Sequence, residues 1–415
     1  MAELGPARPV ARRGGVMRTL LLVESNTTGT GRLFARRARE LGYEPVLAAA
    51  DPDRYPYAAE DGVRVVQVDT ADPCAVLAAD IGEPAGVTTS SEYFIPVAAR
   101  IAAKLGLPGP DPDAVTDCRN KAHQRATLAA MAPKCTVVTS VAAAVAAATE
   151  FPVVLKPAEG SGSVGVLRCE TPESVASQAA ALLSVTHNER GLPVPAQVLV
   201  EPYASGPEYS VELFGDVVVA IVRKHLGPAP FFVEVGHDAP AALPPADETA
   251  LADTARAAVS ALGLGFGAAH VEIRLTPDGP RLMEVNPRLA GGMIPELVRA
   301  ATGVDLVAAQ VAAVLGAEPG LRPDRRVCAS LRFLTASSAS VVAAGDTIAA
   351  AAAVPGVVEA RLYRPGGTAV RPARDYRDRA GHVLAVADRP RAGRAAAVAG
   401  LNQLREALIP RGETR

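Results

Sequence analysis

Residues His270 to Arg288 constrain the fold most, because apolar and polar residues alternate on both sides of Pro277-Asp278-Gly279, the pattern of a hairpin with one buried face. With those three residues as the loop and Gly279 left-handed, Thr276 faces Pro280, Glu272 faces Glu284 and His270 faces Asn286. Val271, Ile273, Met283 and Val285 then share the apolar face. Two carboxylates directly opposed on a sheet repel each other, so the arrangement calls for a cation between them. Magnesium is the natural candidate: it takes one or two carboxylates together with nucleotide phosphates, and Asn286 adds an oxygen on the same face. Arg288, at the strand exit, is suited to a phosphate or a substrate carboxylate. A solvent-exposed polar face is the plainer alternative. His270 shares the metal face, but a nitrogen donor fits a structural role better than a magnesium site.

A second stretch also carries chemistry. Lys156 lies at the end of the apolar run that starts at Phe151, and Gly160, Gly162 and Gly165 follow it. The spacing satisfies GxGxxG, yet Val164 to Cys169 reads as another strand rather than the helix that a dinucleotide turn requires. The glycines therefore sit at a hairpin tip. Such a tip can act as a flap whose backbone amides cover phosphate oxygens while Lys156 places a charge on them. An ordinary glycine hairpin is the bland alternative.

At 415 residues the chain has room for about two to three domains. Residues 1–16 lack periodicity and read as a disordered extension. Strands at Arg18 to Glu24, Glu44 to Ala49, Val63 to Val68 and Gly86 to Thr89, with helices at Arg32 to Leu41 and Pro96 to Leu105, predict a doubly wound parallel-sheet α/β domain over 17–112. Leu107-Pro-Gly-Pro-Asp-Pro breaks that pattern. Residues 113–320 read as an α+β domain, with helices over Asp117 to Met131, Glu173 to Leu183, Asp247 to Leu262 and Ile294 to Leu315. Residues 321–415 read as a C-terminal α/β accessory module.

Lys plus Arg number 42 against 44 Asp plus Glu, so no global field draws the chain to nucleic acid or an anionic membrane. With 4% aromatic residues, platforms for base stacking are few. The five cysteines are scattered without a CxxC pair and read as reduced thiols. No apolar run approaches the about 18 residues of a membrane helix, which makes the cytoplasm the default address.

In their order along the chain these residues resemble the ATP-grasp superfamily, over roughly Met17 to Gly316. The resemblance implies that Lys121, in Arg-Asn-Lys-Ala, and Lys156, in Val-Leu-Lys-Pro, offset the triphosphate charge of ATP, and that Gly160, Ser161, Gly162, Ser163 and Gly165 form the flap. It assigns Glu201 and the backbone of Pro202 and Tyr203 to the adenine hinge, and Glu208 to the ribose hydroxyls. Glu272, Glu284 and Asn286 would bind Mg2+, with Mn2+ able to substitute. Arg288 would stabilise charge on the transferred phosphoryl group and the tetrahedral intermediate. Phe-Phe-Val-Glu234-Val-Gly-His and Met-Glu-Val-Asn-Pro-Arg-Leu-Ala-Gly-Gly resemble the L-amino-acid ligases that make dipeptides and their relatives in secondary-metabolite pathways. Glu234 then either meets a substrate ammonium or is a solvated strand residue. Arg223, Lys224 and His225, at a strand end, face the presumed cleft, Lys224 toward the nucleotide and the other two toward substrate.

What the resemblance implies is ATP-dependent carboxylate-amine ligation. A substrate carboxylate takes the γ-phosphoryl group to give an acyl phosphate and ADP, and an amine displaces phosphate, with Lys156 and Arg288 acting in catalysis. The rivals are a carboxylase or formyl-type ligase of the same superfamily, a non-catalytic sensor of ATP or an amino acid, and a nicotinamide oxidoreductase using Gly29-Thr-Gly31 with Asp51. The last is weakened by Phe34 at the place of a third glycine. The expected partners are small carboxylates and amines, with a homodimer as the default assembly.

Overall fold

The computed structural model describes residues 12–13, 16–26, 30–343 and 345–410. Most of the extension assigned to residues 1–16, and Gly29 of the dinucleotide alternative, lie outside these. The described Arg12–Arg13 pairs antiparallel with Val16–Met17. Phe34 is buried in the core, and Gly31 is packed so closely on Ser25 and Ser90 that a side chain would overlap them.

Four parallel strands open the fold, in the order Arg64–Gln67, Glu44–Ala49, Thr19–Val23, Pro84–Thr88. Leu20 to Val23 are at most 2% exposed, as a strand covered by helices on both faces requires. The order reverses between Thr19–Val23 and Pro84–Thr88, and the crevice at a reversal of this kind, outside the carboxyl ends of the strands, is where open α/β sheets take ligands.

Two antiparallel sheets follow. The smaller has the order Thr136–Val138, Val198–Pro202, Val153–Pro157, Leu167–Cys169, with the helices Val141–Ala147 and Pro172–Leu183 packed over it. The larger has eight strands: Gly279–Asn286, Ala268–Thr276, Glu208–Phe214, Val217–Leu226, Glu234–Ala239, Cys328–Thr335, Arg379–Ala387 and Val357–Leu362. Its last three strands come from the segment expected to form a separate C-terminal module. Cys328–Thr335 hydrogen-bonds onto Glu234–Ala239 and the other two add beyond it, so one sheet runs from the glutamate hairpin into the C-terminal region.

Two expected helices are broken. Asp117 to Met131 divides at Asn120, which ends Pro112–Arg119 and caps Lys121–Thr127, its side-chain oxygen accepting from the Ala122 and His123 amides. Lys121 therefore starts a helix. Ile294 to Leu315 divides at Gly303, left-handed at φ 80°, and Asp305 caps the next helix, Leu306–Val314. Among the described residues no single helix is long and apolar enough to cross a membrane. All five cysteines are free.

Candidate active site

The hairpin pairs Glu272 with Glu284 and His270 with Asn286. Its turn differs from the expected one: Thr276 faces Gly279, and the offset is recovered at a bulge where Glu272 still pairs with Glu284 but Ile273 pairs with Leu282. Leu282 thus takes the core position expected for Met283 and packs with Val271, Ile273 and Val285 beneath the helix Pro245–Ala261. Met283 instead lines the cleft.

Each glutamate of the pair meets a buried lysine. Lys224 Nζ lies 2.7 Å from Glu272, 2.8 Å from Glu208 and 2.9 Å from Glu234. Burial opposes this ammonium, but the three carboxylates outweigh burial and hold it well above its usual pKa. Burial likewise pushes Glu272 up, and Lys224 with His270 pulls it below the usual carboxylate range. Lys121 Nζ sits 3.1 Å from Glu284 and donates to the Gly160 carbonyl at 2.7 Å, tying the pair to the flap. His270 is buried between Glu212, 2.9 Å from Nδ1, and Glu272, 3.1 Å from Nε2. Burial works against its charge, yet the two carboxylates lift its pKa to about 10. His270 thus brackets Glu272 against Glu212, and the two carboxylates favour its protonated form.

Two facing carboxylates and the Asn286 amide, all oxygen donors on one face, fit a magnesium ion shared with nucleotide phosphates. Among the described residues no group of three or more His, Cys, Asp or Glu forms a metal site by itself.

Lys121, Lys156, Gly160 to Ser163, Glu201, Pro202, Tyr203, Glu208, Glu234, Glu272 and Glu284 line one cleft of about 850 Å³. The flap leaves Val153–Pro157 and returns along Leu167–Cys169, a hairpin as expected. Gly165 stands beside the cleft in a left-handed conformation, φ 72°. Lys156 Nζ meets Glu201 at 2.8 Å, and Arg125 meets the same carboxylate at 2.6 Å. Burial and Arg125 lower Lys156 against the pull of Glu201. Of the Tyr203 backbone, expected at the base, the N–H donates to the Pro152 carbonyl at 3.0 Å. Glu208 is held by Lys224 and by Arg274 at 2.9 Å, and Arg274 also stacks over the Tyr203 ring at 5.1 Å.

Arg288 pairs with Glu92, which also takes Arg119 at 3.0 Å. Burial pushes Glu92 up and the two guanidiniums more than reverse it. Arg288 lines a second pocket, open to solvent, with Asn26 and Ser90, at the carboxyl ends of the parallel strands where their order reverses.

Arg223 and His225 are corrections. Side chains alternate along Val217–Leu226, so with Lys224 facing the cleft its two neighbours face away. Arg223 donates to the Tyr209 hydroxyl at 2.6 Å, and His225 pairs at 2.8 Å with Asp238, which also holds Arg332 and Arg394. Glu234 faces the cleft and is not a solvated strand residue: Lys224, Arg379 at 2.5 Å and His237 at 3.4 Å surround it. Arg125, His237, Arg274 and Arg379 went unnoticed in the sequence. Arg125 was within reach, four residues after Lys121 on one helix face. Nothing local marks Arg379.

The ATP-grasp domain family matches residues 149–296, and the L-amino acid ligase C-terminal domain 2 family matches residues 332–407. Protein y4rH of Sinorhizobium fredii is 38% identical over 396 residues, which span 93% of this chain and 82% of that protein. Carnosine synthase 1 of Gallus gallus is 35% identical over 190 residues, 43% of this chain but 20% of the synthase. The crystal structure of L-amino acid ligase from Bacillus licheniformis shares the fold, with a TM-score of 0.75 at 21% identity over 95% of this chain and 99% of that one. The chain belongs to the ATP-grasp ligases, in the branch carrying the L-amino acid ligase C-terminal domain, and is an ATP-dependent enzyme that forms carbon-nitrogen bonds.

Proposed function

We propose that the chain joins the carboxylate of one amino acid to the amine of another through an acyl phosphate, with ATP leaving as ADP and phosphate. The observation that carries this reading is the Glu272–Glu284 pair, bracketed by Lys224 and Lys121, with Lys121 also holding the glycine flap. Lys121 and Lys156 offset the triphosphate charge. Glu272, Glu284 and Asn286 would hold Mg2+, which supplies positive charge at the phosphoryl oxygens. Arg288 stands between the hairpin and the pocket at the parallel-sheet crevice, suited to guide a carboxylate and to balance the charge that develops on it.

Glu234 accepts the substrate ammonium. Burial pushes its carboxyl up, but Lys224 and Arg379 hold it well below the usual range, so it stays ionised. The flap excludes water from an intermediate that water would destroy, and no side-chain nucleophile is needed. Similarity to carnosine synthase 1 and to the L-amino acid ligase C-terminal domain supports amino-acid substrates.

Phosphate release from ATP and magnesium, measured against amino acids singly and in pairs with products weighed by mass spectrometry, tests the proposal. The expected result is release that needs a pair, with a product one water lighter than their sum. Release stimulated by bicarbonate or a non-amino carboxylate instead would overturn the amino-acid reading.

A further inference from the structure

We propose that Tyr376 is a positioning residue for the glycine flap: the C-terminal region reaches the flap tip and clamps it closed over the nucleotide cleft. The contact stands on geometry alone, whereas its consequence, shielding of an acyl phosphate, rests on the proposed ligation.

The Tyr376 N–H donates to the Gly162 carbonyl at 3.2 Å. Its ring packs against Gly162, so that a Cβ added there would overlap Cδ1 and stand 3.0 Å from Cγ; Gly162 is also left-handed, at φ 64°. Both facts restrict this position to glycine. The turn that presents the tyrosine is stiff. Asp375 accepts from the Arg377 amide at 2.9 Å and Asp378 from the Arg374 amide at 3.1 Å, and these carboxylates are 2% and 5% exposed. Arg374 from the same turn stacks over the Phe231 ring at 5.1 Å, and Phe231 bridges to Leu167 on the return strand of the flap. On the flap itself Ser163 Oγ donates to the Phe232 carbonyl at 3.0 Å. The tip is thus held between the C-terminal turn and the 231–232 segment. Tyr376 is not among the residues lining the cleft, so it acts through Gly162 rather than on substrate.

Hydrogen exchange of the 160–166 amides, with a non-hydrolysable ATP analogue and magnesium bound, tests the clamp in wild type, Tyr376→Ala and Tyr376→Phe. Tyr376→Ala is expected to speed flap exchange about tenfold or more while the 268–286 hairpin stays protected. Tyr376→Phe should behave as wild type, because the ring and the backbone N–H make the contact. During turnover on an amino-acid pair, Tyr376→Ala should release several phosphates per amide where wild type releases about one. Unchanged flap exchange in Tyr376→Ala overturns the clamp. Faster exchange with an unchanged phosphate-to-amide ratio overturns the shielding role. Should Tyr376→Ala lose protection in the hairpin as well, Tyr376→Leu, which keeps apolar bulk in the turn but removes the ring, decides by the same flap-only criterion. If wild type makes no amide, the ligation reading falls while the exchange result still decides the clamp.

Discussion

Lys224 Nζ stands 2.7 Å from Glu272 and 2.9 Å from Glu234, so one buried ammonium joins the strand of the proposed metal pair to the strand on which the C-terminal region is built. Lys224→Met leaves Glu208, Glu234 and Glu272 facing one another without this cation. Removing one member of a buried ionic cluster costs about 3–5 kcal/mol, and urea unfolding should show a loss of that size. A loss under about 1 kcal/mol, the range of surface pairs, would mean that solvent already screens these carboxylates.

Glu284→Gln keeps the shape of the site and removes one charge of the pair. ADP release should fall on the order of 100-fold or more, and the rise in melting temperature that ATP with magnesium gives wild type should disappear. Chelation of the metal should abolish that rise in wild type. ADP release at the wild-type rate by Glu284→Gln would refute the metal assignment.

His270 gives the fold a pH dependence of definite sign. Its pKa rises from 6.5 to about 10 on folding, against burial and through Glu212 and Glu272. A raised pKa in the folded state stabilises fully below the unfolded value and is lost as pH climbs through the folded one. The stability gap between wild type and His270→Asn should therefore be widest near pH 6 and close as pH approaches about 10. Urea midpoints across that range measure it, and a gap independent of pH would show that the imidazole is neutral.

The bulge in the hairpin separates two neighbouring residues by role. Leu282 is fully buried in the core, so Leu282→Ala should cost about 2–5 kcal/mol of stability. Met283 lines the cleft, and Met283→Ala should raise KM for ATP several-fold with a smaller loss of stability. The reverse pattern would restore the unbulged register.

The opposed glutamates were legible because a strand has a period of two and a turn signal sets the register. The turn itself was misjudged. A two-residue turn and a bulge compensate, which left Glu272 opposite Glu284 while exchanging Leu282 for Met283 in the core. Lys224 was named together with Arg223 and His225, and only the alternation of the observed strand shows that three successive residues cannot share one face. The helix break at Asn120 was readable as a capping residue, and the one at Gly303 as a left-handed terminator.

What the sequence determined by itself is local and periodic: the parallel-sheet unit, the glycine hairpin after Lys156 and the pairing of Glu272 with Glu284. Near-neighbour geometry and side-chain spacing suffice for each of these. Only the tertiary structure decided the partners of those residues: Glu92 for Arg288, Arg379 for Glu234, Tyr376 for Gly162, and one sheet continuing from the hairpin into the C-terminal region. Such contacts join segments far apart in the chain, and they follow from the order in which strands add to a sheet, which no local pattern of residues encodes.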